Sequence, residues 1–359
     1  MTSLCEVYHE KTEVFFCSTC SHLQTTEISD LQGYYDTIYK ILIDSEEEDQ
    51  LYSIEGNIKV FRVEHQAKTL LEKIDLIQGA RVLDYGCAKA ATMKCLSRTR
   101  PDLKLYLYDV SSMYVPFWER FIQSSHWSTY TIEQAWFDSF DVVTSFFALE
   151  HVASPVEMLS NVLRLLKPGG VFYCIVPNVY TNIADFVVLD HVNHFSDASL
   201  LRLFNACGFV ETTIDDASHR GAFVVVARKP DGASSGVPEP SANGLNQQCH
   251  AIAAYWSDIT QRIAAFEADN QGTPSIIYGS GFYGTFLAAC LTNLDLVYCF
   301  VDRNPFRQGK TLLDKPIVSP EELPDKPFPI YVGLNPSIAR QSIEDIRQWQ
   351  GRPYSYFFP

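Results

Sequence analysis

The residues from Val82 to Met93 have the types and spacing of a loop that binds a nucleoside cofactor. An apolar segment ends at Asp84, turns at Gly86 and continues into small residues that can begin a helix. A backbone without bulky side chains can turn sharply and let a ligand press against it, and the helix presents unpaired N–H groups and a positive dipole end. A second acid, Asp109, ends the next predicted strand, where doubly wound sheets place a carboxylate on ribose hydroxyls. These residues alone leave the type of cofactor open.

Two further segments continue this pattern. Phe140 to Val152 predicts a buried strand that runs into a Glu-His turn, and a Leu-Lys-Pro-Gly-Gly turn ending at Gly170 precedes the predicted strand VFYCIVPN. Taken in order, these motifs resemble the class I S-adenosylmethionine-dependent methyltransferases over roughly residues 60 to 229. The resemblance implies that the donor, S-adenosylmethionine, is bound by Asp84, Tyr85, Gly86, Cys87, Ala88, Asp109, Val110, Phe146 and Phe147.

The donor loop departs from the usual family sequence, Asp-x-Gly-x-Gly-x-Gly. Ala88 and Ala90 stand where that sequence has its second and third glycines. A methyl group at such a position can weaken cofactor binding. A nucleotide-binding or assembly protein with a decayed donor loop is therefore one alternative to an enzyme.

The composition is that of a folded protein with room for two or three domains in 359 residues. A formal net charge of -15 argues against nucleic acid and anionic membranes as partners, since both require a basic surface. No apolar run reaches the ~18 residues of a spanning helix, and the N-terminal residues do not have the pattern of a secretory signal. Ten scattered cysteines, among them Cys174 and Cys299 in predicted strands, suit reduced thiols in a cytoplasm.

The chain divides into segments of different character. An acidic run from Glu46 to Asp49 is expected to be a solvated turn, and apolar residues at helical spacing predict an amphipathic helix over Lys59–Ile77. A stretch rich in Pro, Gly and Ser is the one clear linker. The predicted domains are an N-terminal segment at 1–58, a methyltransferase domain at 59–229, the linker at 230–245 and a C-terminal domain at 246–359.

The C-terminal domain begins with a predicted helix, from about Gln247 to Ala268, and then repeats the strand–loop–helix pattern. Its loop reads Gly279-x-Gly281-x-x-Gly284, and the following strand ends at Asp302. By spacing this is a dinucleotide fingerprint in its proper context. The predicted fold class is thus α/β, with two Rossmann-like doubly wound domains and a small Cys-rich N-terminal segment.

Nearly the whole chain resembles one narrower family. A Cys-bearing N-terminus, a central methyltransferase and a C-terminal unit with the motif Val301-Asp302-x-Asn304-Pro305-x-x-Gln308-Gly309-Lys310 are similar to the sugar C-methyltransferases of deoxysugar biosynthesis. The resemblance implies a nucleotide-linked sugar as substrate, held partly by Gly279, Gly281 and Tyr283 of a C-terminal unit that binds no NAD. An NAD site at these glycines remains the alternative that spacing alone favours.

A metal site is predicted near the N-terminus. The two thiolates of Cys17-x-x-Cys20 can bind one tetrahedral metal ion. Cys5 lies upstream, and His9 or His22 could supply a fourth ligand. The resemblance implies structural zinc here, usually with two cysteine pairs; free thiols are the alternative. A redox role is disfavoured because no βαβ unit surrounds the pair.

The segment from Val188 to Phe209 is the candidate source of a catalytic base. The sugar C-methyltransferases read Tyr-His-Glu-His here, which implies an acid–base pair at Asp190 and His191. Carbon methylation requires a base, because the carbon beside the ketone must lose a proton before it attacks the methyl group. Val188 and Leu189 replace the family's Tyr and His, so tyrosine assistance is expected to be lost. Alternatively, these side chains and His194 only fix a loop beneath the sheet.

Two other positions complete the predicted site. His151, in the Leu-Glu-His turn, is expected beside the methyl-transfer point, although a structural role is the commoner one. Ser218 to Phe223 resembles a substrate-side His-Gly-Gly-Ser segment, which implies contacts from His219 and Arg220, whose guanidinium suits a diphosphate. The leading hypothesis is C-methylation of a nucleotide-linked ketosugar through an enolate; O- or N-methylation of another small molecule is the alternative. The oligomeric state is left open.

Overall fold

The computed structural model describes residues 1–7, 12–28, 33–40, 45–56, 58–232 and 244–359. His9 and most of the predicted linker lie outside these residues. The chain forms two compact units. The larger consists of 12–185 with 189–246, and the smaller of 1–11 and 186–188 with 247–359. Each unit contains a sheet of mainly parallel strands, which confirms the predicted α/β fold class.

The larger unit begins with short antiparallel strands. In chain order these are β1 (Val14–Phe16), β2 (Leu23–Thr25), β3 (Leu51–Glu55) and β4 (Ile58–Phe61), with a π-helical turn at Tyr34–Ile38. Helix α1 then spans Arg62–Lys73. The helix predicted over 59–77 therefore starts later and ends earlier, because Ile58–Phe61 pairs with β3 as a hairpin.

The main sheet of this unit has seven strands. The elements that follow α1 are β5 (Arg81–Tyr85), α2 (Ala91–Thr99), β6 (Lys104–Asp109), α3 (Val115–Trp118), β7 (Trp127–Thr129), β8 (Phe140–Phe146), α4 (Pro155–Leu165) and β9 (Leu166–Pro177). After these come β10 (Asn193–His194), α5 (Asp197–Ala206), β11 (Val210–Asp215) and β12 (Ala222–Arg228). The sheet order is β11-β12-β9-β8-β5-β6-β7. Strands β5 to β9 are parallel, and β12 is antiparallel to β9.

The centre of this sheet is fully buried. Leu83 of β5, Val143 of β8 and Cys174 of β9 have no exposed surface, and helices α2 and α4 contribute apolar side chains to opposite clusters around it. Strands buried on both faces read as nearly continuous apolar runs, as these do. Polar side chains that belong to the site are therefore restricted to the loops at the strand ends.

A second, three-stranded sheet ties the N-terminal segment to the loop after β9. Its order is β1-β2-β10, with Asn193 opposite Gln24 and His194 opposite Leu23. This pairing brings two distant parts of the sequence together, and it fixes the register of the segment that contains His191 and His194.

The smaller unit has a six-stranded sheet with the order β15-β16-β14-β13-β17-β18. Its elements are α6 (Leu245–Asp269), β13 (Ser275–Tyr278), α7 (Phe282–Cys290), β14 (Val297–Val301), β15 (Thr311–Leu312), β16 (Lys315–Val318), β17 (Pro329–Val332), α8 (Pro336–Glu344) and β18 (Ser355–Phe357). The long helix predicted after the linker is confirmed at α6. Among the described residues, no helix has both the length and the apolar character required to cross a membrane.

Close backbone packing explains the glycines of the second loop. A Cβ added to Gly284 would lie 1.9 Å from the Gly279 carbonyl oxygen, whereas a Cβ on Gly281 would meet no heavy atom within 4 Å.

We therefore expect Gly284→Ala to lower the free energy of unfolding of this unit by ~2–4 kcal/mol, because the turn would have to open. Gly281→Ala is the matched control and should change it by less than ~1 kcal/mol. Chemical denaturation of both variants measures the difference, and equal effects would contradict this packing argument.

Candidate functional site

The predicted donor loop lies at the carboxyl edge of the main sheet, where β5, β6 and β8 all end. Gly86 has φ 74°, and a Cβ there would lie 2.8 Å from the Cβ of Ala148. Its N–H donates to the Tyr108 carbonyl oxygen at 2.8 Å. Only glycine satisfies both the left-handed conformation and the close approach of the next loop.

Asp109 holds the donor loop in place. Its Oδ2 accepts from the Ala88 N–H at 2.7 Å and its Oδ1 from the Ser111 N–H at 3.1 Å. Burial raises the pKa of Asp109 to about 6, although these N–H groups act in the opposite direction. The predicted ribose acid thus has a second role in the backbone of the loop.

Asp84 lies beneath the same loop and is almost fully buried. Its Oδ1 accepts from the Thr144 hydroxyl at 2.9 Å. Burial, followed by the charge of Asp109, raises the pKa of Asp84 to about 7 against the hydrogen bond from Thr144. Two carboxyl groups with raised pKa values therefore lie behind the predicted donor loop.

Ala88 and Ala90 adopt the backbone that glycine favours. Their φ angles are 43° and 55°, and each such conformation costs an L-residue ~1–2 kcal/mol. The Trp118 indole N–H donates to the Ala88 carbonyl oxygen at 2.7 Å, and the Lys89 ammonium donates to the Glu48 carbonyl oxygen at 2.7 Å. These contacts hold the loop in the glycine conformation even though it carries two methyl groups.

The acidic run from Glu46 to Asp49 is not a solvated turn, so that prediction was wrong. Glu46 forms ion pairs with Lys94 and, at 2.7 Å, with Arg120. Asp49 Oδ2 accepts from the Val63 N–H at 3.1 Å, at the start of α1. The run is held because its acids face basic residues and a helix N-terminus, which a charge pattern alone does not reveal.

The remaining predicted donor residues surround this edge. Tyr85 packs against Tyr108, with 4.7 Å between ring centroids, and Phe146 packs against Tyr173 at 5.8 Å. Burial holds the pKa of the Cys87 thiol well above its usual range. Val110 is 41% exposed, and so it offers an open position beside Asp109.

A buried group of histidines and carboxylates follows β9. His191 Nδ1 donates to Asp185 Oδ1 at 2.5 Å, and His194 Nδ1 donates to Asp185 Oδ2 at 3.0 Å. Burial alone would lower the pKa of His191, but the hydrogen bond and charge of Asp185 raise it to about 9. The two histidines hold the pKa of Asp185 well below its usual range, against burial. The carboxylate that orients His191 is therefore Asp185, and not Asp190 as the sequence implied.

Asp190 faces a different pair of side chains. Its Oδ2 accepts from the Tyr34 hydroxyl at 3.3 Å and lies 3.7 Å from His151 Nδ1. His151 Nδ1 donates to the Asp190 carbonyl oxygen at 2.9 Å. Burial, followed by the charge of His191, lowers the pKa of His151 to about 4. His151 and His191 are adjacent, with ring centroids 4.6 Å apart.

Tyrosines do reach this group, contrary to the expectation from Val188 and Leu189. They come from the N-terminal segment, where the Tyr39 and Tyr35 rings lie 5.5 and 6.0 Å from the His151 ring. Burial keeps the pKa of Tyr35 far above its usual range. The repeated tyrosines between 34 and 39 were the available sequence signal, but only the tertiary fold brings them to His151.

Glu150 was overlooked in favour of its neighbour His151. The side chain is 1% exposed, and neither carboxyl oxygen has a hydrogen-bond partner among the described residues. Burial raises the pKa of Glu150 to about 8, partly offset by the charge of His191. A ligating atom from Glu150 lies within 4.8 Å of one from His151 and one from His191.

His219 and Arg220 lie at the start of β12 with different surroundings. His219 packs against Phe147, with ring centroids 5.4 Å apart, and its buried Nε2 has no partner in the described part of the chain. Burial, followed by the charge of Arg62, lowers the pKa of His219 to about 3. The Arg220 guanidinium donates to the Tyr52 carbonyl oxygen at 2.5 Å and lies over the Tyr52 ring. The Tyr52 contact thus fixes the position of Arg220 but uses only one of its five N–H groups.

The predicted zinc ligands Cys17 and Cys20 lie close to each other. N–H groups of Thr19 and Cys20 donate to the Cys17 thiol and lower its pKa, whereas burial raises the pKa of Cys20. His22 Nε2, however, lies 3.1 Å from Asn193 Oδ1. Within the described ranges, no group of three possible metal ligands includes Cys5, Cys17, Cys20 or His22. These residues do not form a complete zinc site, and zinc remains a prediction.

In the smaller unit, Asp302 closes its own glycine loop. Its Oδ2 accepts from the Ser280 N–H at 2.9 Å and from the Ser280 hydroxyl at 2.5 Å, and its Oδ1 accepts from the Asn304 N–H. Gly279 has φ 100°, Gly281 precedes α7, and Tyr283 is buried against Trp256. The acid that a dinucleotide would require is engaged in the loop itself.

A cavity of about 310 Å³ opens at the opposite, amino-terminal edge of the main sheet. Lys73, Asp141, Lys167 and Arg228 are among its lining residues. It contains none of the predicted site residues, so it does not alter the assignment of the carboxyl edge.

Comparison with known proteins agrees with this geometry. Residues 62–213 match a family model described as a methyltransferase domain. No curated protein matches the chain. Similar solved structures include a putative methyltransferase in complex with the Haloferax volcanii Trm112 activator, which is 22% identical to this chain. The match covers 47% of this chain and 91% of that chain, with a TM-score of 0.38.

A second is the CurJ carbon methyltransferase, which is 15% identical; the match covers 47% of this chain and 55% of that chain, with a TM-score of 0.39. A third is a putative methyltransferase from Bacillus halodurans, also 15% identical; the match covers 46% of this chain and 98% of that chain, with a TM-score of 0.36. The domain at 62–213 is of the class I methyltransferase type. The protein is an S-adenosylmethionine-dependent methyltransferase.

The raised pKa of Asp84 makes stability depend on pH. Because its pKa is higher in the folded state, that state binds more protons between the ordinary value of 3.8 and about 7. Stability from this group is therefore lost as pH rises through that range. Asp84→Asn keeps the hydrogen bond from Thr144 without the charge. The difference in free energy of unfolding between this variant and wild type should therefore rise, in favour of the variant, by on the order of 1–3 kcal/mol from pH 4 to pH 8.

Urea denaturation across this pH range measures the effect. Asp269→Asn, at an exposed position at the end of α6, is the matched control and should follow the wild type at every pH. A difference between Asp84→Asn and wild type that stays constant with pH would contradict the burial of an ionisable carboxyl group.

Proposed function

We propose that this enzyme methylates a carbon atom beside the ketone of a nucleotide-linked sugar, and that His191 removes the proton. The observation that carries the proposal is the Asp185–His191 pair, held at 2.5 Å and buried beside the Glu150–His151 turn. Methyl transfer to oxygen or nitrogen has less need of a strong base, whereas transfer to carbon requires one.

The pairing suits His191 to this step. Nδ1 is committed to Asp185, so Nε2 is the nitrogen that takes the proton once the ring is neutral, a state that the raised pKa of His191, about 9, favours only at alkaline pH. The carboxylate stabilises the imidazolium that forms and holds the ring in one orientation. Asp190, the acid that the resemblance implied, would act on His151 and Tyr34 instead.

The donor loop has the features that S-adenosylmethionine requires. Asp109 would hold the ribose, and the N–H groups at the start of α2 would hold the amino-acid end. When bound, S-adenosylmethionine supplies a methyl group on a positively charged sulfur, which departs as a neutral thioether. The proton goes from the sugar carbon to His191 Nε2, and the electron pair of that C–H bond forms the new C–C bond.

The sugar and its nucleotide are proposed from the resemblance together with two local features. His219 has a free, neutral Nε2 beside Phe147, at the strand end next to the donor loop. Gly279, Gly281 and Tyr283 of the smaller unit remain the proposed nucleotide contacts. Arg220 remains the proposed diphosphate contact, because only one N–H group of its guanidinium donates to the Tyr52 carbonyl oxygen.

We predict that Asp109→Asn weakens donor binding by ~1–3 kcal/mol. The variant amide keeps one acceptor oxygen, so one loop N–H and one ribose hydroxyl lose their partner. Titration calorimetry with S-adenosylmethionine gives the affinity, and Asp102→Asn, an acid on the loop before β6 that pairs with Arg100, is the control. Wild-type affinity in the Asp109 variant would remove this residue from the donor site, and no binding by wild type would favour the non-catalytic alternative.

We predict that His191→Asn abolishes proton exchange together with turnover. With S-adenosylhomocysteine in place of the donor, wild type should exchange the sugar's α-proton with solvent deuterium, since proton removal precedes methyl transfer. The variant keeps the size of the side chain but cannot take the proton, so both rates should fall by ~10²–10⁴-fold. Asp185→Asn should lower exchange by ~10²-fold or more, because His191 loses its orienting partner.

His250→Asn is the matched control, since His250 is exposed on α6, and it should retain both rates. Donor affinity measured on every variant separates loss of the base from loss of the fold. Near-normal exchange in His191→Asn would make His191 a structural residue and direct attention to His151 or His194. A product methylated on oxygen or nitrogen would establish the alternative reaction.

A further inference from the structure

Three side chains that could bind a metal ion converge at the end of β8 and after β9. One ligating atom from each of Glu150, His151 and His191 lies within 4.8 Å of the other two. Among the described residues this is the only such group of three. Glu150 is 1% exposed, and His151 and His191 are each 9% exposed.

The two histidines have the arrangement of metal ligands. In each ring Nδ1 donates to an oxygen: the Asp185 carboxylate for His191 and the Asp190 carbonyl for His151. Ligating histidines commonly donate their second ring nitrogen to a carboxylate or carbonyl, which fixes the tautomer and raises the basicity of the ligating nitrogen. Nε2 of each ring is thereby the nitrogen available for an ion.

Glu150 supplies an independent observation. Its side chain is 1% exposed, and both carboxyl oxygens lack a hydrogen-bond partner in the described part of the chain. A buried carboxylate without a partner is costly, so such groups are usually paired or bound to a metal. The neighbouring Asp185 and Asp190 add further negative charge, which favours a cation.

We propose that Glu150, His151 and His191 bind one divalent transition-metal ion. Two imidazoles and one carboxylate suit Zn²⁺, Co²⁺ and Fe²⁺, with solvent or substrate at the open position. Ligands about 2.0–2.1 Å from a tetrahedral ion stand ~3.4 Å apart, so the three ligating atoms, which lie within 4.8 Å of one another, would have to approach by up to ~1.4 Å. This site is separate from the Cys17–Cys20 pair.

The ion and the proposed reaction compete for one atom. His191 Nε2 cannot hold a metal and accept a proton at the same time, so a bound ion should inhibit α-proton exchange. Only this consequence rests on the proposed function; the metal site itself does not.

The test is a Co²⁺ titration of the full-length protein after chelator treatment and removal of the chelator. We expect one ion per chain in the double variant Cys17→Ser, Cys20→Ser, which cannot bind metal at the predicted zinc ligands, with the visible d–d bands of nitrogen and oxygen ligation and no thiolate charge-transfer band. X-ray absorption at the cobalt edge of the same double variant should show two imidazoles. A stoichiometry of zero, or fewer than two imidazoles, would overturn the proposal.

Variants then locate the ion. Glu150→Gln and His151→Asn, each added to the cysteine double variant, should weaken Co²⁺ binding by ~10–100-fold relative to the double variant alone. Thermal unfolding identifies any variant that does not fold. Unchanged affinity in both of these variants would also overturn the site. If the ion binds at Glu150 and His151 but exchange continues at its full rate, the metal site stands and the assignment of His191 as the base is wrong.

Discussion

The buried carboxylate of Asp185 is the interaction on which the candidate site depends. It accepts one hydrogen bond from His191 and one from His194, and the other nitrogen of His194 lies 2.6 Å from the Thr25 hydroxyl on β2. This chain of contacts joins the loop after β9 to the N-terminal strands, where β2 pairs with β10. Loss of one partner from such a buried charged group is generally far more costly than loss of a surface pair, so the site and the local fold are stabilised together.

The donor loop is a balance between backbone strain and hydrogen bonds. Two alanines occupy left-handed conformations that glycine would adopt with less strain. Asp109 and Trp118 compensate by binding the N–H and the carbonyl of Ala88, and the Lys89 side chain anchors the loop to a neighbouring segment. Lys89 reaches carbonyl oxygens of the segment at 45–48, so that segment is part of the support of the loop. Strain of this kind persists only where the surroundings determine the conformation, and here these surroundings are visible residue by residue.

The sequence was sufficient for the features that depend on local pattern. Buried strands, the turn at Gly86, the acid at Asp109 and the long helix after the linker all follow from periodicity and residue type over short windows. Asp185 could not be predicted as the partner of His191, because the spacing of the two residues fits no regular element and Asp190 is nearer in sequence. Tyr34 and Glu46 act through contacts with residues far along the chain, and no local pattern records such contacts.

The two glycine loops show why a fingerprint alone does not identify a ligand. In the smaller unit the glycines allow two backbones to touch, and Asp302 is engaged by Ser280. In the larger unit the loop is closed in a similar way by Asp109, yet nearby groups are left without partners: Glu150 and the Nε2 of His219. Buried polar groups without partners are costly, and a fold retains them where a ligand can satisfy them. These unpaired atoms therefore indicate chemistry at the carboxyl edge more strongly than the glycines of the donor loop do.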